Sequence, residues 1–375
     1  MAAEETPGEI PQSEPPGAGE LDDLQALLPP LLRALDALAL IARHLNPPDL
    51  AAVMAAIGAP ERALESERAR LDAWPEGLRD LSGRLAVASD AAIEAFVGLR
   101  AAADMRGVFR ALRFLPRAEE ALYPLAAVLA PVSRYFLDPS QRGDAAVLAR
   151  LDAAEAREDT GVFHVDHETG ARGGFSVYVP ENYTPDRGWP LVMALHGGSG
   201  NGRAFLWSWL AAARGHGAIV VAPTAIGDTW ALMREDVDTP NLGRALDYAR
   251  GRWRLDEDRL MLTGMSDGGT FTYVSGLEAG SPFTHLAPVA AAFHPILAQM
   301  ADPSRLRGLP IHIVHGALDW MFSVDLARQA NRALTSAGAH VTYREVDDLS
   351  HCYPREINPA LLTWLDDAVT SQQQT

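Results

Sequence analysis

The spacing of apolar residues divides the chain into two parts that predict different secondary structure. From residue 21 to about residue 157, leucine and alanine recur every three to four positions among arginine and glutamate, as in LLRALDALALIARHL at residues 31–45. This spacing places the apolar side chains on one face of a helix, and it predicts an all-α domain of six or seven helices. We find neither a fixed-period repeat typical of a solenoid nor a chemical motif in this part.

After residue 158 the pattern changes to short apolar runs separated by amphipathic segments. The first two runs, GVFHVDHE and GGFSVYVP, flank a turn that contains Thr-Gly and predict an antiparallel hairpin. The later runs are PLVMALH, AIVVAP, RLMLTG, LAPVAAAF, PIHIVHG and HVTYREV. The helices predicted among them cover residues 204–215, 241–253, 270–279, 324–337 and 359–369.

These later runs are apolar without alternation, which is typical of parallel strands buried on both faces of a sheet. The sequence therefore predicts an α/β fold, with a mostly parallel sheet and helices on both faces, preceded by an all-α domain. We assign residues 1–20 to a leader, residues 21–157 to the helical domain and residues 158–375 to the α/β domain.

Composition and charge narrow the classes of function. Residues 1–20 are acidic and rich in proline and glycine, without the basic and apolar regions of a secretory signal, so we expect a disordered leader. The formal net charge of −17 opposes binding to nucleic acid and to anionic membranes. The single cysteine, Cys352, excludes an intrachain disulfide and agrees with a cytoplasmic location. Residues 21–45 are interrupted by Pro29, Pro30 and charged residues, which predicts a core helix with a proline break and no membrane span.

The segment GMSDGG, residues 264–269, has the pattern of a nucleophile elbow. It lies between RLMLT, a predicted strand, and TFTYVSGLEA, a predicted helix. Gly264 and Gly268 flank Ser266 at the spacing G-x-S-x-G, which lets neighbouring backbone pass close to the sharp turn. The serine hydroxyl would then project from the carboxyl end of the sheet, where α/β folds bind ligands.

Two further residues follow strand ends at positions that complete a triad with Ser266. Asp319 follows PIHIVHG, and His351 follows HVTYREV, so the order along the chain is serine, aspartate, histidine. His351 would accept the serine proton, and Asp319 would orient the imidazole and stabilise its charged form.

Other acids and bases near these positions remain alternatives. Asp347 and Asp348 compete as the acid, but they end the strand that precedes His351 and more naturally shape its loop. His294 competes as the base but breaks the expected order, and His315 lies in the HG pair before Asp319, where packing in the loop is the simpler interpretation.

The glycine-rich segment LHGGSGNG, residues 195–202, follows the first long buried strand. We expect the Gly198 N–H to pair with the Asp267 N–H as an oxyanion hole. The segment lacks the G-x-G-x-x-G and Walker A spacings, which argues against a nucleotide-binding loop. Asp267 stands where a neutral residue is more usual; its acidic side chain suits a helix start but would disfavour anionic substrates.

Aromatic residues near these loops are candidates for substrate contacts. We expect Trp230 and Trp320 to line a pocket, and Trp207 to lie either at the pocket or in the core. His164 and His167 in HVDH point to opposite faces of a predicted strand and have no third ligand nearby, so we expect no metal.

From about residue 161 to residue 365, the chain resembles the α/β-hydrolase superfamily. The resemblance rests on YVPENY, LHGGSGN, GMSDGG, HGALDWMF and LSHCYP. It is greatest to bacterial esterases of the phospholipase/carboxylesterase branch and of the esterase D or polyhydroxybutyrate-depolymerase-like branches. It implies a Ser-His-Asp hydrolase without a cofactor, and it does not extend to the N-terminal helical region.

This resemblance and the triad order predict a carboxylic-ester hydrolase that forms an acyl-enzyme on Ser266 and acts on small-molecule esters. Two alternatives remain. The same triad would serve an amide or peptide hydrolase, or the helical domain would bind a partner while the α/β domain is inactive. The sequence leaves a homo-oligomer open.

Overall fold

The computed structural model describes residues 4–5, 16–166 and 171–372. Contacts divide the described chain into two compact units, one from Gly8–Gly143 and the other from Met1–Pro7 with Asp144–Thr375. The helix Ala145–Asp152 belongs to the second unit, so the boundary lies before the position expected from the sequence. One physical reason is that the Arg150 guanidinium in this helix donates a hydrogen bond to the Gly215 carbonyl.

The predicted leader, residues 1–20, lies largely outside the described residues. Within it, Glu4–Glu5 forms a short strand, and the first helix begins at Ala18. The disorder expected for the remainder stays a prediction.

The first unit consists of α-helices joined by short 3-10 turns, as the apolar spacing predicted. The helices are α1 (Ala18–Arg43), α2 (Leu50–Ile57), α3 (Glu61–Arg68), α4 (Arg79–Ala101), α5 (Met105–Leu112), α6 (Phe114–Leu122) and α7 (Ala130–Tyr135). The 3-10 turns are Ala69–Ala73, Glu76–Leu78 and Tyr123–Ala127.

Helix α1 runs through Pro29 and Pro30 without interruption, so the predicted proline break is wrong. Each proline costs the helix a backbone hydrogen bond and crowds the preceding turn, but burial of Leu27, Leu31 and Leu35 along one face stabilises the helix. By length and composition alone, α1 could cross a membrane. Half of its apolar window is buried in the structure.

The second unit is built on one mixed sheet. Its strands are β1 (Glu4–Glu5), β2 (Gly161–Val165), β3 (Phe175–Val179), β4 (Trp189–Leu195), β5 (Ile219–Pro223), β6 (Leu255–Met265), β7 (His285–Val289), β8 (Pro310–Gly316) and β9 (His340–Val346). Their order across the sheet is β1-β2-β3-β5-β4-β6-β7-β8-β9. Strands β1, β2 and β3 pair antiparallel with their neighbours, and β5, β4, β6, β7, β8 and β9 are parallel to one another.

This order is that of the α/β-hydrolase fold, which confirms the predicted fold class. The antiparallel pairing of β2 and β3 also confirms the predicted hairpin, whose turn lies outside the described residues. Every residue of β3, β4, β5 and β7 is buried, which explains why their sequences do not alternate.

Most helices of the second unit lie between the parallel strands along the chain, so the carboxyl ends of these strands meet at one edge of the sheet. The helices are α8 (Ala145–Asp152), α9 (Gly202–Phe205), α10 (Trp207–His216), α11 (Asp238–Arg252), α12 (Asp267–Gly276), α13 (Ile296–Met300), α14 (Pro303–Leu306), α15 (Val324–Ser336) and α16 (Asn358–Gln372). Strand β4 lies between β5 and β6, so the connection from β4 to β5 and that from β5 to β6 run in opposite directions across the sheet. This reversal opens a crevice at the carboxyl end of β4.

Candidate active site

Ser266 lies in the turn between β6 and α12 in a strained backbone conformation. Its φ is 57° and its ψ is −120°, a region that residues other than glycine rarely occupy. The turn is held on both sides, because the Ser266 N–H donates to the Val289 carbonyl at 3.0 Å and the Ser266 carbonyl accepts from the Thr270 N–H at 2.8 Å. The surrounding structure thus keeps the hydroxyl at the carboxyl edge of the sheet.

The glycines that flank Ser266 are required by close backbone packing. A Cβ on Gly264 would lie 2.5 Å from the Gly268 carbonyl, and a Cβ on Gly268 would lie 2.5 Å from the carbonyl oxygens of Leu195 and His196. The G-x-S-x-G spacing therefore lets α12 begin against the end of β4, as the nucleophile-elbow pattern predicts.

The structure brings Ser266, His351 and Asp319 into one hydrogen-bonded chain. The distance from Ser266 Oγ to His351 Nε2 is 2.9 Å, and that from His351 Nδ1 to Asp319 Oδ2 is 2.8 Å. The side chains of His351 and Asp319 are 4% and 0% exposed, so solvent competes little for these contacts. This arrangement allows His351 to accept a proton from the hydroxyl while Asp319 fixes the tautomer.

The surroundings of Asp319 keep its carboxyl ionised. Burial alone would raise its pKa, but hydrogen bonds from His315 and His351 and from the Phe322 N–H hold the pKa well below its ordinary value. Asp319 Oδ1 accepts from the N–H groups of Met321 at 2.9 Å and Phe322 at 2.7 Å. The loop after β8 therefore fixes the carboxylate from its own backbone.

The alternative acids and bases differ in their burial. Asp347 and Asp348 are exposed in the loop before His351, and His294 is exposed, with its Nδ1 accepting from the Ile296 N–H at 3.2 Å. His315 is buried and contacts Asp319 Oδ2, the oxygen that also contacts His351, and sequence reasoning missed this contact.

The glycine-rich loop after β4 lies directly against the elbow. A Cβ on Gly197 would lie 3.5 Å from the Ser266 Cβ, and a Cβ on Gly198 would lie 2.8 Å from Asp267 Oδ2. The next two N–H groups of the loop are engaged, because Ser199 donates to the Asp228 carbonyl and Gly200 to the Gly197 carbonyl. Asp267 is the first residue of α12, where an N–H has no partner within the helix.

His196 anchors this loop to the body of the unit. Its Nε2 accepts from the Ala225 N–H at 3.1 Å, which leaves Nδ1 to donate to the Gly197 carbonyl at 2.6 Å. The Trp230 indole N–H donates to the His196 carbonyl at 2.8 Å, and the Trp230 ring stacks on Phe271.

The three tryptophans expected at a pocket have different surroundings. Trp230 and Trp207 are 1% and 3% exposed, and Trp230 supports the loop; a substrate contact of either stays a prediction. Trp320 is 46% exposed, and its ring centroid lies 6.5 Å from that of His351. Phe322, which sequence reasoning missed as a contact of the base, packs edge-on against His351 at 5.2 Å.

Exposed large apolar side chains of the second unit lie in segments that follow strand ends. In the described part of this unit, all of them follow the carboxyl ends of β5, β7 and β8. They are Ile226, Met233, Val237, Ile296, Met300, Leu318, Trp320 and Met321. We call these residues the apolar rim. Such a surface favours contact with apolar ligand groups.

Within the described residues, no group of three histidine, cysteine or acidic side chains is placed to hold a metal ion.

Comparisons with known proteins give partial matches. No protein-family model matches the chain. The chain is 28% identical over 206 residues to the bifunctional acetylxylan esterase/xylanase XynS20E of Neocallimastix patriciarum, a match that covers 52% of this chain and 29% of that protein. The match therefore spans less than a third of the relative's length.

Solved structures similar to this chain include esterases and serine hydrolases. A truncated carbohydrate esterase from gut microbiota has a TM-score of 0.46 and 12% identity, over 52% of this chain and 91% of that one. The fluorophosphonate-binding serine hydrolase FphF of Staphylococcus aureus has a TM-score of 0.43 and 15% identity, over 56% of this chain and 98% of that one.

Proposed function

We propose that this protein is a carboxylic-ester hydrolase that forms an acyl-enzyme on Ser266. The observation that carries the proposal is the continuous chain of contacts from Ser266 Oγ through His351 to the buried carboxylate of Asp319. The similarity to XynS20E, whose name includes acetylxylan esterase, supports ester chemistry.

The reaction begins when Ser266 Oγ attacks the ester carbonyl and His351 Nε2 takes the hydroxyl proton. Asp319 stabilises the resulting imidazolium through Nδ1. The imidazolium then donates its proton to the leaving alkoxide, and the acyl group remains on Ser266. A water molecule repeats the sequence with His351 as base and releases the carboxylic acid.

The developing oxyanion would be stabilised by the N–H groups of Gly198 and Asp267. Gly198 precedes the two loop positions whose N–H groups are already bonded, and the Asp267 N–H begins α12. Both would gain a partner when the carbonyl oxygen becomes negative, so they would bind the transition state more strongly than the substrate.

Trp320 would contact the substrate beside His351, and the apolar rim favours esters that carry an apolar acyl or alcohol group. The Asp267 carboxylate, which accepts a hydrogen bond from the Thr229 hydroxyl at 2.6 Å, adds negative charge next to the oxyanion hole. We therefore expect neutral esters to react faster than esters with an anionic acyl group.

Ser266→Ala provides the first test. We expect it to lower kcat for a soluble acetate ester by about 10⁴-fold or more, because the nucleophile is lost. We also expect intact-mass analysis to show one fluorophosphonate adduct on the wild type and none on the variant. Ser336→Ala, at an exposed position of α15, is the control and should be labelled like the wild type.

Equal labelling or equal hydrolysis by Ser266→Ala and the wild type would contradict the proposal. A matched anilide substrate separates ester from amide hydrolysis, since the same triad serves both reactions. Faster turnover of the anilide than of the ester would favour the amide hydrolase.

A further inference from the structure

Asp319 has a second histidine partner that the triad does not require. His315 is the penultimate residue of β8, and its Nε2 lies 3.3 Å from Asp319 Oδ2, the same oxygen that contacts His351. The side chains of His315 and Asp319 are both 0% exposed. The acid of the proposed triad is therefore held between two imidazoles.

The hydrogen-bond partners of His315 fix where its proton lies. Nε2 also lies 2.9 Å from the Phe322 carbonyl oxygen. Because that carbonyl and the Asp319 carboxylate can only accept, Nε2 must carry the hydrogen. His315 thus donates toward both, and it joins the strand to the loop that positions Asp319.

The other ring nitrogen of His315, Nδ1, lowers the stability of the fold. Nδ1 is buried and, in the part of the chain that the structure describes, has no hydrogen-bond partner. A buried polar atom without a partner destabilises the fold, whereas an apolar side chain of similar shape would not. The cost indicates that the Nε2 donor has a function beyond packing.

We propose that His315 is a positioning residue of the esterase site. It holds Asp319 Oδ2 toward His351 and draws part of the carboxylate charge away from the His351 imidazole. The proposal rests on the ester-hydrolase function, because it concerns how strongly the proposed base holds its proton during turnover.

Several charged groups lie around His315, Asp319 and His351 and act on them electrostatically. Glu345 of β9 is paired directly with His315 in the sheet and acts on it electrostatically. Its carboxylate is bound by Arg328 of α15 at 2.9 and 2.6 Å and by the Tyr343 hydroxyl at 2.7 Å. Asp267 follows Ser266 on α12, and the exposed Asp347 and Asp348 precede His351. None of these groups changes in the variants below.

The expected consequence is a shift in the pH dependence of hydrolysis. Without the His315 donor, Asp319 concentrates more charge on His351, which then holds its proton to higher pH. The acidic limb of the kcat/KM profile should move upward by about half a unit to one unit. A residue that only fills space would lower activity or stability without this shift.

The experiment compares His315→Phe, His315→Asn and His315→Gln in the full chain. We measure kcat/KM for a neutral soluble ester as a function of pH, within the range where circular dichroism shows each variant folded. His315→Phe and His315→Asn should show the upward shift and a loss of about tenfold in kcat/KM at pH 6. The amide of His315→Gln can donate from a similar position, so the acidic limb of its kcat/KM profile should lie at the same pH as in the wild type.

His312→Phe, on the same strand, is the matched control and should leave the limb unchanged. If the Phe variant does not fold, the Asn variant carries the test. If the wild type is active and the acidic limb of the folded Phe or Asn variant lies at the wild-type pH, the proposed role of His315 is wrong. A wild type that neither hydrolyses the ester nor reacts with fluorophosphonate would instead overturn the ester-hydrolase proposal.

Discussion

At the scale of residues, Trp230 and Trp320 show how similar sequence positions acquire different roles. Both follow strand ends, and the sequence could place both near the site but could not tell which would be exposed. Trp230 is buried because its indole N–H satisfies the His196 carbonyl and its ring stacks on Phe271. Trp320 remains half exposed beside His351. The difference arises from loop conformation, which apolar spacing does not encode.

We expect Trp320→Ala to weaken substrate binding and leave the fold intact. Loss of the aromatic surface beside His351 should raise KM for an aryl or alkyl ester about fivefold, with a small change in kcat. Steady-state kinetics and a thermal unfolding curve check both parts. Met300→Ala, at a more exposed position of the apolar rim, is the control, and an equal rise in KM there would argue against a specific role for Trp320.

The order Ser266, Asp319, His351 was predictable because each residue follows a strand, and parallel strands end at one edge. The contacts of Asp319 with His315 and of His351 with Phe322 were not. They depend on the turn of the loop after β8, in which the Phe322 N–H reaches back to Asp319. A local hydrogen bond of this kind leaves no periodic signal in the sequence.

At the scale of elements, the elbow depends on how closely α12 approaches the end of β4. The strand, the turn and the helix could each be predicted from the pattern of GMSDGG and its flanks. Their close packing could not be predicted, because it depends on the carbonyls of Leu195 and His196, which come from a distant part of the chain.

Replacement of Gly268 by alanine should therefore destabilise the protein. The new Cβ would lie 2.5 Å from two backbone carbonyl oxygens, which cannot move without shifting β4 and its loop. We expect a loss of about 1–3 kcal/mol in the free energy of unfolding. Gly251→Ala in α11, where a Cβ meets no atom within 4 Å, should be neutral or slightly stabilising.

Denaturant titrations of the two variants measure this difference. Similar unfolding midpoints for Gly268→Ala and Gly251→Ala would show that a Cβ fits at position 268, contrary to the expectation. Activity of Gly268→Ala should fall as well, because the displaced loop carries Gly198.

At the scale of the whole molecule, the change in apolar spacing predicted a helical region followed by an α/β unit, and both are observed. The boundary was less predictable, because α8 has the composition of the helical region. Its assignment depends on tertiary contacts such as that of Arg150 with Gly215.

The second unit also contains two histidines, His285 buried and His312 half-buried, that should make it sensitive to acid. The rings of His285 and His312 pack edge-on against Trp364 of α16. Burial lowers the pKa of each to about 4, from an ordinary value of 6.5.

Because the folded state binds fewer protons than the unfolded state, stability should be full above pH 6.5 and fall between pH 6.5 and 4. The loss should be about 3 kcal/mol for each histidine. Replacing His285 with leucine should reduce the fall, and His340→Gln, at an exposed position, should not. Unfolding midpoints of the wild type and the two variants, measured at several pH values, test this prediction. The same pH dependence in all three proteins would exclude His285 as a cause.

At Ser266, the residue type that best fits the backbone differs from the one that supplies a hydroxyl. With φ at 57°, the site suits glycine better than serine, so the folded chain is held above the lowest energy that its own topology allows. Selection for thermal resistance alone would favour loss of the hydroxyl, and only selection for turnover would retain it. Replacement of Ser266 by glycine should therefore stabilise the fold while it removes the hydroxyl.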